Sequence, residues 1–99
     1  MEFEFENKKL ECLYVEEKGA KKYPSDIVDS FFELMAVISS APDESEFRKL
    51  KYLHFEKLTH SLTDRSMRLK GRWRLIIELR DTASGRTVVI KEISNHYGD

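Results

Sequence analysis

The sequence predicts an α+β fold in which N-terminal helices pack on a small antiparallel β-sheet, forming two layers. Three observations predict it. Ile27, Phe31, Leu34, Met35 and Ile38 recur at spacings of three and four, which is a helix with one buried stripe. Residues 72–80 alternate strictly, with Trp73, Leu75, Ile77 and Leu79 on one parity and Arg72, Arg74, Ile76, Glu78 and Arg80 on the other. That is a strand with one buried and one solvated face. Helical patterning comes first and strand patterning after, so the two kinds of element segregate into layers. At 99 residues the chain supports one core, and residues 1–99 are read as a single domain.

The opening Met1-Glu-Phe-Glu-Phe-Glu6 alternates Phe3 and Phe5 with carboxylates and reads as a short strand. Leu10, Leu13 and Tyr14 then sit at helical spacing within residues 8–17, with Gly19 as the expected C-cap. Pro24 opens the second helix, where a missing N–H costs nothing, and Ser25 and Asp26 are placed to bond its free first-turn donors. That helix stops near Ala41-Pro42. Asp43 and Glu46 have the spacing of a capping box for a short third helix carrying Phe47 and Leu50. From Leu53 the pattern turns to strands: residues 54–58, residues 65–70, a turn at Lys70-Gly71, residues 72–80, a hairpin connection over residues 81–86, and residues 87–93. Met67 and Leu69 share one parity, and Ser66, Arg68 and Lys70 the other, so neighbouring strands are expected to set their cations side by side. Val88, Val89 and Ile90 are apolar in succession, as in a central strand buried on both faces.

The net charge of −1 conceals an internal division. Residues 1–47 carry five lysines against twelve carboxylates, a balance of −7, whereas residues 48–91 carry twelve lysines and arginines against four carboxylates, a balance of +8. A local field of that sign attracts polyanions whatever the overall pI, although an acidic helical half and a basic sheet half solvated separately would give the same count. Cys12 is the only cysteine, which leaves no intrachain disulfide and suits a cytoplasmic setting. With one cysteine and three scattered histidines there is no zinc-ligand spacing, and neither a metal nor another cofactor is expected. No apolar run approaches the ~20 residues of a membrane span, so no membrane partner is expected either.

Several segments, taken in order, resemble one family: Lys9-Leu-Glu-Cys-Leu-Tyr14, Lys18-Gly19, Tyr23-Pro24, Leu53-His-Phe-Glu-Lys-Leu58, Ser66-Met-Arg-Leu69, Arg72-Trp-Arg-Leu-Ile-Ile-Glu78, Val88-Val-Ile-Lys-Glu-Ile93 and the terminal Asn95-His96-Tyr97. The family is the RelE/ParE toxin superfamily, in its HigB-like (plasmid maintenance killer) branch. The resemblance implies a RelE/ParE-like two-layer domain and a toxin of a type II toxin–antitoxin pair, neutralised by a cognate antitoxin of helix-turn-helix type from an adjacent gene. It further implies a ribosome-dependent, metal-independent endoribonuclease that cuts mRNA by attack of a ribose 2′-OH on the scissile phosphate. That chemistry needs a base, a cation for the phosphorane and an acid for the leaving oxygen.

Carried over by position, the resemblance makes Arg74 the contact to the scissile phosphate, where the residue pattern alone says solvated strand arginine. Arg68 matches a basic residue of the neighbouring strand, and Arg65, Lys70, Arg72 and Arg80 complete the expected RNA-binding set. The chain departs from the family in two places. The family ends Asp-Tyr-His, whereas here His96 precedes Tyr97 and Asn95 stands at the acidic position; His96 is taken as the acid and Tyr97 as the ring that stacks on a base. The segment Leu58-Thr-His-Ser-Leu-Thr-Asp-Arg-Ser66 is one residue shorter than its counterpart. The catalytic candidates there are Lys57, His60 and His54, in that order of closeness to the loop. Two alternatives share the fold: a ParE-like gyrase-inhibiting toxin, and a catalytically decayed RNA-binding module.

Overall fold

The structure, a computed structural model, describes residues 1–83 and 85–95. Five strands form one sheet in the order β1-β5-β4-β3-β2, where β1 is Glu2–Phe5, β2 Glu56–Lys57, β3 Asp64–Lys70, β4 Trp73–Thr82 and β5 Gly85–Ser94. Three helices, α1 (Lys8–Glu16), α2 (Ser25–Ser40) and α3 (Ser45–Lys49), pack on one face of it. The α+β two-layer reading therefore holds. The sheet is antiparallel except at its edge, where β1 runs parallel to β5. Among the described residues no helix is long and apolar enough to cross a membrane.

The helix-side core follows the alternation. Leu75 and Ile77 of β4, Met67 of β3 and Val88 and Ile90 of β5 are fully buried against Leu10, Phe31, Met35, Ile38 and Phe47. Val89 is also buried, on the other face, so the run 88–90 is covered on both sides as its composition predicts. β4, flanked by β3 and β5, is the middle strand.

Local details depart from the expected caps. Asn7 starts α1: its Oδ1 accepts from the N–H groups of Lys9 (2.9 Å) and Leu10 (3.3 Å), while its amide donates to the Lys91 carbonyl of β5 (3.1 Å). Glu17, not Gly19, takes the left-handed conformation that ends the helix, and Gly19 (φ +86°) instead opens a 3-10 turn over Ala20–Lys22. Pro24 precedes α2 as expected, but neither Ser25 nor Asp26 caps it with a side chain. Asp43 Oδ1 accepts from the Ser45 N–H (2.8 Å) at the start of α3. The strand expected over 54–58 shrinks to β2, because a 3-10 turn (Lys51–Leu53) places His54 at φ +46°. β4 runs on to Thr82 and β5 starts at Gly85, so both strands extend into the connection expected over residues 81–86.

Two irregularities shift side chains between faces. In β3 the register slips between Arg68 and Lys70, so that Lys70 pairs with Trp73 and turns to the helix side, where its ammonium meets Asp26 of α2 (3.2 Å). In β5 the register slips at Lys91, so that Ile90 stands opposite Ile77 but Glu92 opposite Ile76. Counting parity from Ile90 along the last strand therefore misplaces everything beyond it. Trp73 keeps the expected parity, yet it is only half-buried, standing edge-on to Tyr23 (6.1 Å between ring centres) at the rim of the core.

Two stability predictions follow from this packing. Leu75→Ala, a fully buried deletion, should cost about 2–5 kcal/mol and lower Tm clearly more than Trp73→Ala, the reverse of what the size of the two side chains suggests; equal losses would place Trp73 in the core. Alkaline pH should also weaken the fold. The Lys91 ammonium, bonded to the Asp64 carboxylate (3.0 Å), and the Tyr23 hydroxyl, partly desolvated, both hold their protons above the ordinary value. Their contributions are therefore complete below about pH 10 and fade as pH rises past it. Urea melts from pH 8 to 11 should show that loss, and the double variant Lys91→Met/Tyr23→Phe should lose less of its own stability over the same range.

Candidate functional site

On the sheet face away from the helices, the register aligns one row of residues across four neighbouring positions. β4 pairs Arg74 with Arg68 of β3 on one side and with Ser94 of β5 on the other. Glu56 pairs with Ser66 and Lys57 with Arg65, and the same antiparallel count carried back two residues sets His54 beside Arg68. The contact is direct: His54 Nε2 lies 3.3 Å from Arg68 Nη1. A guanidinium has no lone pair to offer, so Nε2 is the acceptor and the ring proton sits on Nδ1.

The two guanidiniums are held by a common acceptor. The β3–β4 turn puts Gly71 at φ +58°, in the left-handed region that suits glycine. Its carbonyl accepts from Arg68 Nε (3.2 Å) and from Arg74 Nη1 (3.1 Å), and Trp73 O lies at 3.5 Å from the same Arg74 nitrogen. Arg74 is 7% exposed, although it lies on the face remote from the helical core. Its charge is thus largely withdrawn from water and held in place by carbonyl oxygens. Among the described residues neither Arg68 nor Arg74 has a carboxylate at ion-pair distance.

The other cations of this region are spoken for. Arg80 bridges Glu78 and Glu4 (both 3.2 Å), Arg86 contacts Glu44 and Asp81, Lys91 holds Asp64 and Arg48 meets Glu44 (3.6 Å). The expected set Arg65, Arg68, Lys70, Arg72 and Arg80 is therefore not one face. Arg80 belongs to the far end of β4, with its charge offset. Lys70 is on the helix side, and Arg65 shares the parity of Met67, its Nη1 on the carbonyls of Leu62 (3.2 Å) and Asp64 (3.1 Å). Arg72 is exposed in the turn beside Arg74.

Among the three loop candidates the order inverts. His54, ranked last for closeness to the loop, touches Arg68. Lys57 falls on the parity of Arg65, away from the row, and His60 is exposed in the segment between β2 and β3. His96 and Tyr97 lie outside the described residues; β5 ends at Ser94, beside Arg74. Ser94 itself escaped the sequence reading, and only the pairing register could have found it. No group of three or more His, Cys, Asp and Glu among the described residues is arranged to hold a metal ion.

The arrangement is chemically suited to an anion with tetrahedral oxygens: two adjacent, anchored guanidiniums with donors to spare and an imidazole at the edge of the row. A family model described as the RelE-like toxin of type II toxin-antitoxin system HigB matches residues 3–91, nearly the whole chain. No curated protein and no solved structure matches significantly.

A short single-stranded RNA should bind with a log–log salt slope of about −0.7 for each phosphate neutralised. Arg68→Ala should weaken binding and flatten that slope, whereas Arg80→Ala, whose charge is already offset by Glu78 and Glu4, should leave it nearly unchanged. Anisotropy titrations at three salt concentrations decide it; equal effects of the two substitutions would mean the whole face binds without a focus at the row.

Proposed function

The chain belongs to the HigB-like family of RelE-like toxins of type II toxin–antitoxin systems, and from that premise we propose that it is an endoribonuclease cutting mRNA on the ribosome, without a metal, by attack of a ribose 2′-OH on the adjacent phosphate. The family implies a cognate antitoxin. We take that antitoxin to be a helix-turn-helix protein from a neighbouring gene and the site of action to be the cytoplasm.

The observation that carries this reading is the pair Arg68–Arg74, fastened to the Gly71 carbonyl and lacking a carboxylate partner among the described residues. In the reaction the 2′-oxygen forms a bond to phosphorus as its proton leaves, and the bond from phosphorus to the 5′-oxygen breaks as that oxygen gains a proton. Negative charge builds on the non-bridging oxygens between the two events. With Nη1 of Arg74 engaged by carbonyls, its Nε and Nη2 remain to meet those oxygens. A largely desolvated, immobile donor stabilises such charge without reorganising. His54 is assigned the 2′-OH proton, which its Nε2 accepts once Arg68 Nη1 turns from the ring to a phosphate oxygen. The acid is assigned to His96, with Tyr97 stacking on the base at the cut. Lys57 and His60 receive no part in the bond changes.

Arg74→Ala should lower ribosomal mRNA cleavage by about 100- to 1000-fold and abolish growth inhibition while the far-UV circular dichroism stays that of the parent. Arg74→Lys should recover only part of the loss, because an ammonium lacks the planar fork. His54→Gln should lower the rate by about 100-fold or more. A folded Arg74→Ala protein as toxic as the parent would remove this residue from the mechanism. Growth arrest with a DNA-damage response and intact translation would move the chain to the gyrase-directed reading.

A further inference from the structure

One opening in the molecule lies away from the arginine row. A cleft of about 300 Å³ lies between α1 and the 3-10 turn that follows it. Four lysines rim it, Lys8, Lys9, Lys18 and Lys22, although this half of the chain is acidic by a balance of −7. Among the described residues only Lys18 has a carboxylate partner, Glu16 at 3.4 Å, and that exposed pair is worth little. The interior is apolar and aromatic, with the buried Leu13 and the half-buried Tyr23. Tyr23 stands edge-on against Trp73, which precedes Arg74 in β4. The cleft's aromatic wall thus packs on the strand residue that immediately precedes Arg74.

We propose that this cleft is a nucleotide subsite for single-stranded RNA, taking one unstacked base against Leu13 and Tyr23 while the lysines hold its flanking phosphates. The volume is at the lower end of ordinary ligand pockets and matches one ring-sized body, not a helix or an extended peptide. Unstacked bases settle on aromatic side chains, and lysines serve phosphates as mobile point charges. The assignment rests on the nuclease reading, which is what brings single-stranded RNA to this end of the sheet. A strand bound at Arg68 and Arg74 and bent past Trp73 enters the cleft, so the subsite would fix which nucleotide lies a short distance from the cut.

Cys12, the only cysteine, also lines the cleft and is half-exposed, so its alkylation by iodoacetamide reports occupancy. With the full chain saturated by a short single-stranded RNA, saturation being checked by anisotropy, Cys12 labelling should slow several-fold. The double variant Lys8→Gln/Lys22→Gln should lose that protection, and inorganic phosphate alone should give none. Unchanged labelling in the RNA-saturated protein, or protection that survives in the double variant, overturns the subsite. Protection by 5′-AMP as strong as by the oligonucleotide would assign the cleft to a free nucleotide, and protection only by an acidic peptide would assign it to a protein partner; either result overturns the RNA claim. Ribosomal cleavage measured on the same preparations separates the two readings. A protein that cuts mRNA but leaves Cys12 unprotected loses the subsite alone, and one that is protected but never cuts loses the nuclease alone.

Discussion

Pairing of β3 with β4 across the Gly71 turn sets the helix-side core and the charged face in a single register. Met67 must oppose Leu75 for the core to close over Phe31 and Met35, and once it does, Arg68 opposes Arg74. A slip of one residue would expose the first pair and bury the second. The positive φ at Gly71 then aims one carbonyl at both guanidiniums. The stability of the core and the geometry of the cation pair are therefore one constraint seen from two sides of the sheet. A buried arginine on the sheet face remote from the helices, normally costly, is tolerated because backbone oxygens replace part of its hydration.

Much of this was legible from residue order alone. The α2 stripe, the alternation in β4 and the doubly buried run 88–90 are local patterns whose periods report directly on which side is covered, and the structure matches them. What escaped was everything decided by pairing between distant segments. Lys70 changes face because of a bulge, and Lys91 absorbs another; neither leaves a mark in a two-residue period. Distance along the chain to the loop puts His54 last, yet what places it is a β3 residue fourteen positions away. The parity of Trp73 assigns it to the core face, but parity says nothing about how near the sheet's end a residue stands. Asn7 as the cap of α1 is legible in the sequence, since Asn preceding an apolar-periodic stretch is a helix start signal.

The charge count illustrates a different limit. A balance of +8 over residues 48–91 is real, but carboxylates from elsewhere in the fold reach into it: Glu4 from β1, Asp26 from α2 and Glu44 from the segment before α3. Folding thus sets three outside carboxylates against that excess, while Arg68 and Arg74 at the Gly71 turn meet only backbone carbonyls and an imidazole among the described residues. The lysines around the α1 cleft make the converse point, since a segment that is acidic on average presents one basic surface. Sign summed over sequence is a poor guide to sign in space when the two halves interleave.

The parallel pairing of β1 with β5 has a consequence for the order of events during synthesis. Among the described residues Glu2–Phe5 pairs with Gly85–Ser94 alone, so β1 waits for a strand some eighty residues downstream. Contacts spanning nearly the whole chain slow folding, because the entropy of closing so long a loop is lost before the pairing compensates it. While translation proceeds, Phe3 and Phe5 remain on an unpaired edge, which any chaperone or partner that recognises apolar extended segments can meet first. The five-stranded sheet closes only once β5 has been made, so a toxin built this way leaves an interval in which a partner can meet β1 before the fold is complete.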